Sequence, residues 1–484
     1  MKTNRLFVAA FALAILLAPL SAQSSKKAKQ AKDAKEADVK EEKAFSVGEF
    51  AKSLSDTAST AGIEEALKLF DTVPEENKNE YAVRYMHSSL LLSAGRAKEA
   101  KPIAAALLAE YKKDKDVLFL NALIAKDLGE RNKKSEYLQE LIKLDPYNPE
   151  ANAELGNEKM TAKAYKDAKG YFLKSMRGDP DYITGLFGYG QVCYYLGEFK
   201  ESKTAFNRIL TLNPREDIAW SYLAKLSAEK EEYPDAIKYV LKAIEYNPTY
   251  YNYWIDYGDY LRYSSKYEEA AKAFSRAIEI TPDYFLAYVY RASMYEILEK
   301  NDLALADYKS VVKLNSQYQY AYESIGILSW LSGKWTDCRE AMQKAYAVDT
   351  DNISYQLMIS ACYQKEGDKL KNKEFLTKMM KNLDRQSTEY AILRLYFDGL
   401  GEADVLRKIR KVESVNLKGK LLYYMAVFYE LNGSPEAAKT LYLEIQSMNS
   451  PMFFEYRLAK QALEKSNGSL VVNPNAQSVS LNKN

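Results

Sequence analysis

One histidine, three cysteines and a scatter of carboxylates are the raw material for chemistry in this chain. His87 has no second histidine with which to hold zinc, and no nucleophile–histidine pair can be assembled around it. It reads as a packed side chain. Cys193, Cys338 and Cys362 all fall in helical stretches, at positions facing neighbours. Cys338 and Cys362 lie on consecutive helices, so a disulfide between them is open in an oxidising compartment. Otherwise each acts as a small apolar filler, and the odd number leaves at least one thiol free. Gly188-Tyr189-Gly190 lacks the third glycine of a dinucleotide loop and sits inside a helix, not after a strand. Asp256, Asp259 and Arg262 are spaced by three and share one helical face. Two carboxylates there could bind a cation or exchange protons, but Arg262, one turn from Asp259, neutralises it more simply. These residues predict no catalytic centre, no cofactor and no metal.

Composition narrows the rest. Across 484 residues, 68 Lys and Arg stand against 66 Asp and Glu, with 28% charged and 47% apolar residues. That balance excludes a disordered tail protein, a collagen-like fibre and a disulfide-stapled miniprotein. A formal charge of +2 gives no reason to expect a polyanion partner such as nucleic acid. Forty tyrosines against seventeen phenylalanines is the anomaly. Tyrosine carries a large apolar ring with a polar tip and few torsions to freeze, which suits a recognition surface as well as a wet core.

The elements that position these groups repeat. Prolines stand at 146, 180, 214, 248 and 282, each 34 residues after the last, and the ruler extends through Ser316, Thr350 and Asp384. Counting repeats from 149, 183, 217, 251, 285 and 319, the eighth position is small: Gly156, Gly190, Ala224, Gly258, Ala292 and Gly326. So is the twentieth: Ala168, Ser202, Ala236, Ala270, Ala304 and Cys338. Large residues such as Trp254, Tyr257, Leu261 and Phe274 fill the fourth, seventh, eleventh and twenty-fourth positions, on one helical face. Gly197, Gly333 and Gly367, at the fifteenth position, suit the turn between paired helices. The proline then stops the second helix.

This pattern resembles the tetratricopeptide repeat family. The stretches AWSYLAKLSAEKEEYPDAIKYVLKAIEYNP and YWIDYGDYLRYSSKYEEAAKAFSRAIEITP match its W-x2-L-[GA]-x2-Y, A-x3-F and P positions. Residues 115–352 keep perfect register, 47–80 and 81–114 keep the period, 353–386 has Asn372 where alanine belongs, and 387–418 is degenerate. A last unit at 419–452 returns two residues early, and 453–466 is expected to close the final apolar face. The resemblance implies an all-α, right-handed solenoid of about twelve antiparallel helical hairpins, 47–452, with a C-terminal capping helix. It further implies that the first helix of each repeat lines a concave groove.

Positions 2, 5, 6, 9, 12 and 13 of the first helices then face that groove. They predict a partner-binding surface of Phe187, Gln191, Tyr194, Tyr222, Lys225, Asn252, Asp256, Asp259, Arg262, Tyr290, Ser293, Tyr320 and Glu323. The lysine-and-asparagine clamp by which some family members grip a C-terminal carboxylate is missing. The fifth and ninth positions here are Phe187/Gln191, Ser221/Lys225 and Ile255/Asp259.

At the start of the chain, Lys2 and Arg5 precede an apolar run, Leu6 to Leu17, and then Leu20-Ser21-Ala22-Gln23. This order predicts a signal peptide over 1–22, too short in its apolar run to span a bilayer, and no transmembrane segment after cleavage. Its removal would leave 66 basic against 66 acidic residues. A Lys/Ala/Glu-rich spacer (23–46) follows, and 467–484 lacks helical periodicity and is expected to be disordered. The expected protein is a non-enzymatic scaffold of the bacterial cell envelope, periplasmic, outer-membrane associated or secreted, whose groove binds a protein or extended peptide. Two alternatives stay open: a carbohydrate-associated scaffold of a polysaccharide secretion or uptake system, with glycan as ligand, and an architectural adaptor using its outer faces.

Overall fold

Helices begin and end where the 34-residue frame places its turns. The computed structural model describes residues 45–449 and 451–468. The signal peptide, nearly all of the spacer and the tail beyond residue 468 lie outside them. Among the described residues there are 25 α-helices, one 3-10 turn and no strand, in two compact units that divide after Tyr246.

The first unit holds α1 (Val47–Thr60), α2 (Ile63–Lys68, continued by the 3-10 turn Leu69–Thr72), α3 (Tyr81–Ser93), α4 (Ala97–Glu110), α5 (Lys115–Asp127) and α6 (Arg131–Leu144). It continues through α7 (Pro149–Thr161), α8 (Tyr165–Gly178), α9 (Ile183–Tyr195), α10 (Phe199–Leu212), α11 (Asp217–Ala228) and α12 (Tyr233–Tyr246). Each odd helix packs on the even helix that follows, and successive hairpins stack. The eighth position explains the close approach. A Cβ on Gly156 would lie 2.6 Å from the Phe172 ring, and one on Gly190 would lie 2.9 Å from Phe206. Both rings are fully buried, so the hairpin closes on glycine because the twenty-fourth position carries phenylalanine. Where alanine replaces glycine at 224, that position holds the smaller Val240.

The turns within hairpins put the fifteenth residue in the left-handed region whatever its type. Gly197 has φ +76°, but Lys163 and Glu231 adopt 57° and 61°. At glycine and non-glycine turns alike the amide of the next residue reaches back five residues, as in Glu198 N to Cys193 O and Glu232 N to Ser227 O. Between hairpins, Asp145, Asp179 and Asn213 close the second helices in extended backbone, with φ of −143°, −142° and −135°. A following proline favours that conformation, and Asn315, followed by Ser316, adopts it too, at φ −141°.

The second unit holds α13 (Tyr251–Tyr263), α14 (Tyr267–Ile280), α15 (Phe285–Ile297), α16 (Asn301–Leu314), α17 (Gln319–Leu331), α18 (Trp335–Tyr346) and α19 (Ile353–Lys365). Then come α20 (Lys369–Met380), α21 (Thr388–Asp398), α22 (Glu402–Arg410), α23 (Val415–Leu431), α24 (Pro435–Gln446) and α25 (Glu455–Gly468). The same close approach recurs, with Gly258 on Phe274 and Gly326 on Met342. Asn372, in place of the small residue, is buried and bonds the Ser360 hydroxyl at 2.7 Å, so the two small positions of that repeat are joined by a polar pair. In the degenerate stretch the hairpin persists but shortens: α21 and α22 have 11 and 9 residues and are joined through left-handed Gly399 and Gly401. Both units are all-α repeat solenoids. No described helix is long and apolar enough to cross a membrane.

Candidate functional site

In the first unit, α9 and α11 bring five of the groove-assigned residues into one patch. Phe187 sets its ring edge-on to Phe206 and to Tyr222, both at 5.9 Å. Tyr222 is 9% exposed and lies stacked on Phe206 at 4.6 Å. Gln191 Nε2 donates to the Tyr222 hydroxyl at 2.8 Å, and the Lys225 ammonium lies 5.5 Å from the centre of the Tyr222 ring. Tyr194 stands edge-on to Tyr222 at 5.8 Å and donates from its hydroxyl to Glu229 Oε1. Burial, and next the Glu229 bond, push the Tyr194 phenol well above its ordinary pKa, so it remains a donor at any physiological pH. Phe187, Gln191, Tyr194 and Lys225 are half-buried. The result is a partly exposed aromatic platform edged by an amide, an ammonium and a carboxylate. Tyr222 is the part of it that belongs to the core.

In the second unit, α13 and α15 gather another set. Asp259 Oδ1 accepts from Arg262 Nε at 3.2 Å, and the Arg262 guanidinium stacks on Tyr263 at 4.1 Å. Burial raises the Asp259 pKa and Arg262 opposes the shift. Tyr290 packs on Phe274 at 5.4 Å, and its phenol is raised by burial and then by the Asp259 charge. Ser293 Oγ bonds the Tyr290 carbonyl at 2.7 Å, and Asn252 Nδ2 bonds the Tyr250 hydroxyl at 3.0 Å. Asp256 is half-buried on the same helix as Asp259. Glu323 accepts from Tyr355 at 2.5 Å. Tyr320 stands apart, 68% exposed, against Tyr318 at 5.9 Å.

Two residues outside the predicted set complete the patch of the first unit. Glu229 occupies the thirteenth position of its repeat, which the frame already assigns to this face, so its signal was available. Phe206, on the second helix, supports the platform from below at the twenty-fourth position, as Phe274 does against Tyr290 two repeats on.

The remaining chemistry-bearing residues are structural. His87 stacks on Phe70 at 4.3 Å, and burial, then Arg96, lower its pKa. All three cysteines are free and buried. Cys338 adjoins Cys362 in the core, where burial pushes its thiol far up. Gly188 sits inside α9, where a Cβ would strike the Phe172 ring at 2.1 Å. Among the described residues no group of His, Cys, Asp and Glu is arranged to hold a metal ion.

A tetratricopeptide repeat family model matches residues 190–251 and 255–319, which contain both first-helix patches in large part. The tetratricopeptide repeat-containing protein trd-1 of Caenorhabditis elegans is 28% identical over 131 residues, 27% of this chain. The match spans 17% of the worm protein's length. Among solved structures, a tetratricopeptide repeat protein from Parabacteroides merdae is similar at 19% identity and a TM-score of 0.38, over 51% of this chain and 97% of that one. PilF of Pseudomonas aeruginosa is similar at 18% identity and a TM-score of 0.39, over 43% and 95%. The family model supports the tetratricopeptide unit for this chain, and proteins built from that unit generally serve as scaffolds in protein–protein interaction.

Proposed function

We propose that this tetratricopeptide-repeat chain is a non-enzymatic scaffold that holds a protein or an extended peptide on the first-helix faces of its repeats. The observation that carries the reading is the patch on α9 and α11. Phe187, Gln191, Tyr194, Tyr222 and Lys225 come from two successive first helices and meet in one platform whose rings are fixed by mutual packing. Rings held in place before a ligand arrives lose little entropy on binding, and the half-buried Gln191, Tyr194 and Lys225 present polar tips that select register. The Lys2/Arg5 start, the apolar run and Ala22 support export, which would put the scaffold in a bacterial envelope.

Photo-crosslinking in the native cell tests this reading. A probe replacing Tyr194 should give a discrete protein band, and a control at Lys238, exposed on the second helix α12, should not. Bands from Lys238 alone would move the function to the outer face. Silence at both positions, with long soluble glycans protecting Tyr194 from modification, would replace the protein ligand with a carbohydrate.

A further inference from the structure

The C-terminal helix α25 does more than follow α24. Arg457 pairs with Glu296 of α15 at 2.6 Å, across 161 residues of sequence. Lys465 Nζ donates to the Leu331 carbonyl at the end of α17, at 3.1 Å. Leu458 and Ala459 are buried in the apolar cluster that contains Ile327 and Trp330 of α17 and Tyr423 of α23. Just ahead of the helix, Phe453 covers Gly419 so closely that a Cβ there would lie 2.2 Å from the ring.

In the 34-residue frame Glu296 is a twelfth-position residue and Leu331 a thirteenth. Ser354 and Lys420 are second-position residues, while Tyr423 and Tyr424 are the fifth and sixth of the last repeat. These are the positions that the frame gives to the binding face. In the second unit, the chain's own helix covers part of that face.

The seat is imperfect. Glu455, at the first turn of α25, is fully buried, and its carboxyl faces the Ser354 and Tyr424 hydroxyls in poor hydrogen-bond geometry. Groups facing Glu455 are Ser354 and Tyr355 from α19 and Lys420, Tyr423 and Tyr424 from α23. Behind them, Tyr355 is committed to Glu323 of α17, and Cys338 of α18 lies near Tyr424. Burial above all pushes the Glu455 carboxyl up to about 7. A carboxylate buried this deeply on poorly aligned hydroxyls is costly, so the helix sits best when Glu455 is protonated and is strained when it ionises. The pins that remain, Arg457 and Lys465, lie toward the surface.

We propose that the first-helix face of the second unit is a receptor for an amphipathic helix, filled here by the chain's own C-terminal helix, which a partner helix of like pattern displaces. The pattern is an acid, a base two residues on, then an apolar and a small residue, as in Glu455, Arg457, Leu458 and Ala459. The proposal rests on first-helix faces being binding surfaces, but its test lies wholly in the second unit. Failure here with a crosslink at Tyr194 would leave the scaffold reading standing.

The experiment uses the full chain and a fluorescent synthetic peptide of residues 453–468. Wild type at pH 6 should bind the peptide weakly, and Arg457→Glu, which loosens the internal helix against Glu296, should bind it at least tenfold more tightly. The pair Arg457→Glu with Glu296→Arg should return to the wild-type value. Hydrogen exchange at 455–468, corrected for intrinsic rate, should quicken at least tenfold from pH 6 to pH 8.5 in wild type but not in Glu455→Gln, with α23 amides unchanged. Either of two outcomes overturns the proposal: a loosened helix with no gain in peptide binding, or exchange in which 455–468 and α23 open together. Dimerisation of Arg457→Glu that peptide does not reverse would also overturn it, by making a second copy the occupant.

Discussion

Gln191 donates to the hydroxyl of Tyr222 at 2.8 Å, joining the first helices of two successive repeats through one half-buried and one buried side chain. The bond fixes the ring that Phe206 supports from below and Lys225 and Tyr194 flank. Removing the hydroxyl with Tyr222→Phe leaves the stack intact and should cost about 1 kcal/mol of stability. Tyr222→Ala should cost about 3 kcal/mol, because the ring is core. Tyr194→Ala should therefore be the cleaner probe of partner capture: helical content by circular dichroism unchanged, crosslinked partner greatly reduced. Full capture by Tyr194→Ala would remove the platform from the binding surface.

The hairpin contacts predict an overpacking experiment. Gly258→Ala would place a Cβ 2.5 Å from the Phe274 ring, and forcing a methyl into that contact should destabilise by about 1–3 kcal/mol. Phe274→Val alone should also destabilise, by leaving a void. Together they reproduce the Ala224/Val240 arrangement found one repeat earlier, so their thermal midpoints should be strongly non-additive. Simple additivity would mean that the two residues do not share the contact.

The hairpin frame was legible because it rests on spacing: small residues at the eighth and twentieth positions, large ones at the twenty-fourth, and a helix stop near the end. Those spacings survive even where Asn372 replaces alanine, since the Ser360 hydroxyl repairs the contact. The candidate face was legible as a set of positions but not as a set of environments. Nothing in the frame says that Tyr222 is 9% exposed and Tyr320 68%, because exposure depends on what the neighbouring helix offers. Phe206 under Tyr222 recurs two repeats on as Phe274 against Tyr290, whereas the return of α25 onto Glu296 is a contact across sequence that no period of 34 encodes.

Turn residues offer a test in the opposite direction. Glu231 and Lys163 hold φ values of 61° and 57° where other repeats place glycine. A non-glycine residue in this region carries roughly 1 kcal/mol of strain, so Glu231→Gly and Lys163→Gly should each raise the thermal midpoint. Gly197→Ala, at φ +76°, should lower it. A fall in stability for Glu231→Gly would show that the backbone entropy of glycine outweighs the strain.

The seventh position of α15 holds Arg291 where other repeats place a large apolar residue. Its guanidinium forms two bonds to Asp307, at 2.8 and 2.6 Å, and a third to Ser275 Oγ at 2.9 Å. Asp307 is 4% exposed. Arg291→Met should cost about 3–5 kcal/mol by stranding that carboxylate, and Arg291→Met with Asp307→Leu should recover most of the loss. A double variant as unstable as the single one would show that the pair does more than satisfy itself.

Glu455 adds a pH dependence to the second unit. Its carboxyl is raised by burial from the ordinary value of 4.5 to about 7, so the folded state binds this proton more tightly than the unfolded chain does. Stability from this group is fully present below about pH 4.5 and is lost as pH rises through 7, to a total on the order of 3 kcal/mol. Carboxylates whose pKa values are lowered, such as Glu110 beside Arg84 and Glu130 beside Lys101, act the other way and weaken the fold only in acid. They are common to wild type and Glu455→Gln and cancel in the difference. Denaturation of the two proteins should therefore give similar stabilities at pH 5 and a Glu455→Gln advantage that grows to pH 8. Parallel curves across that range would mean that Glu455 keeps the same proton affinity in the folded and unfolded chain.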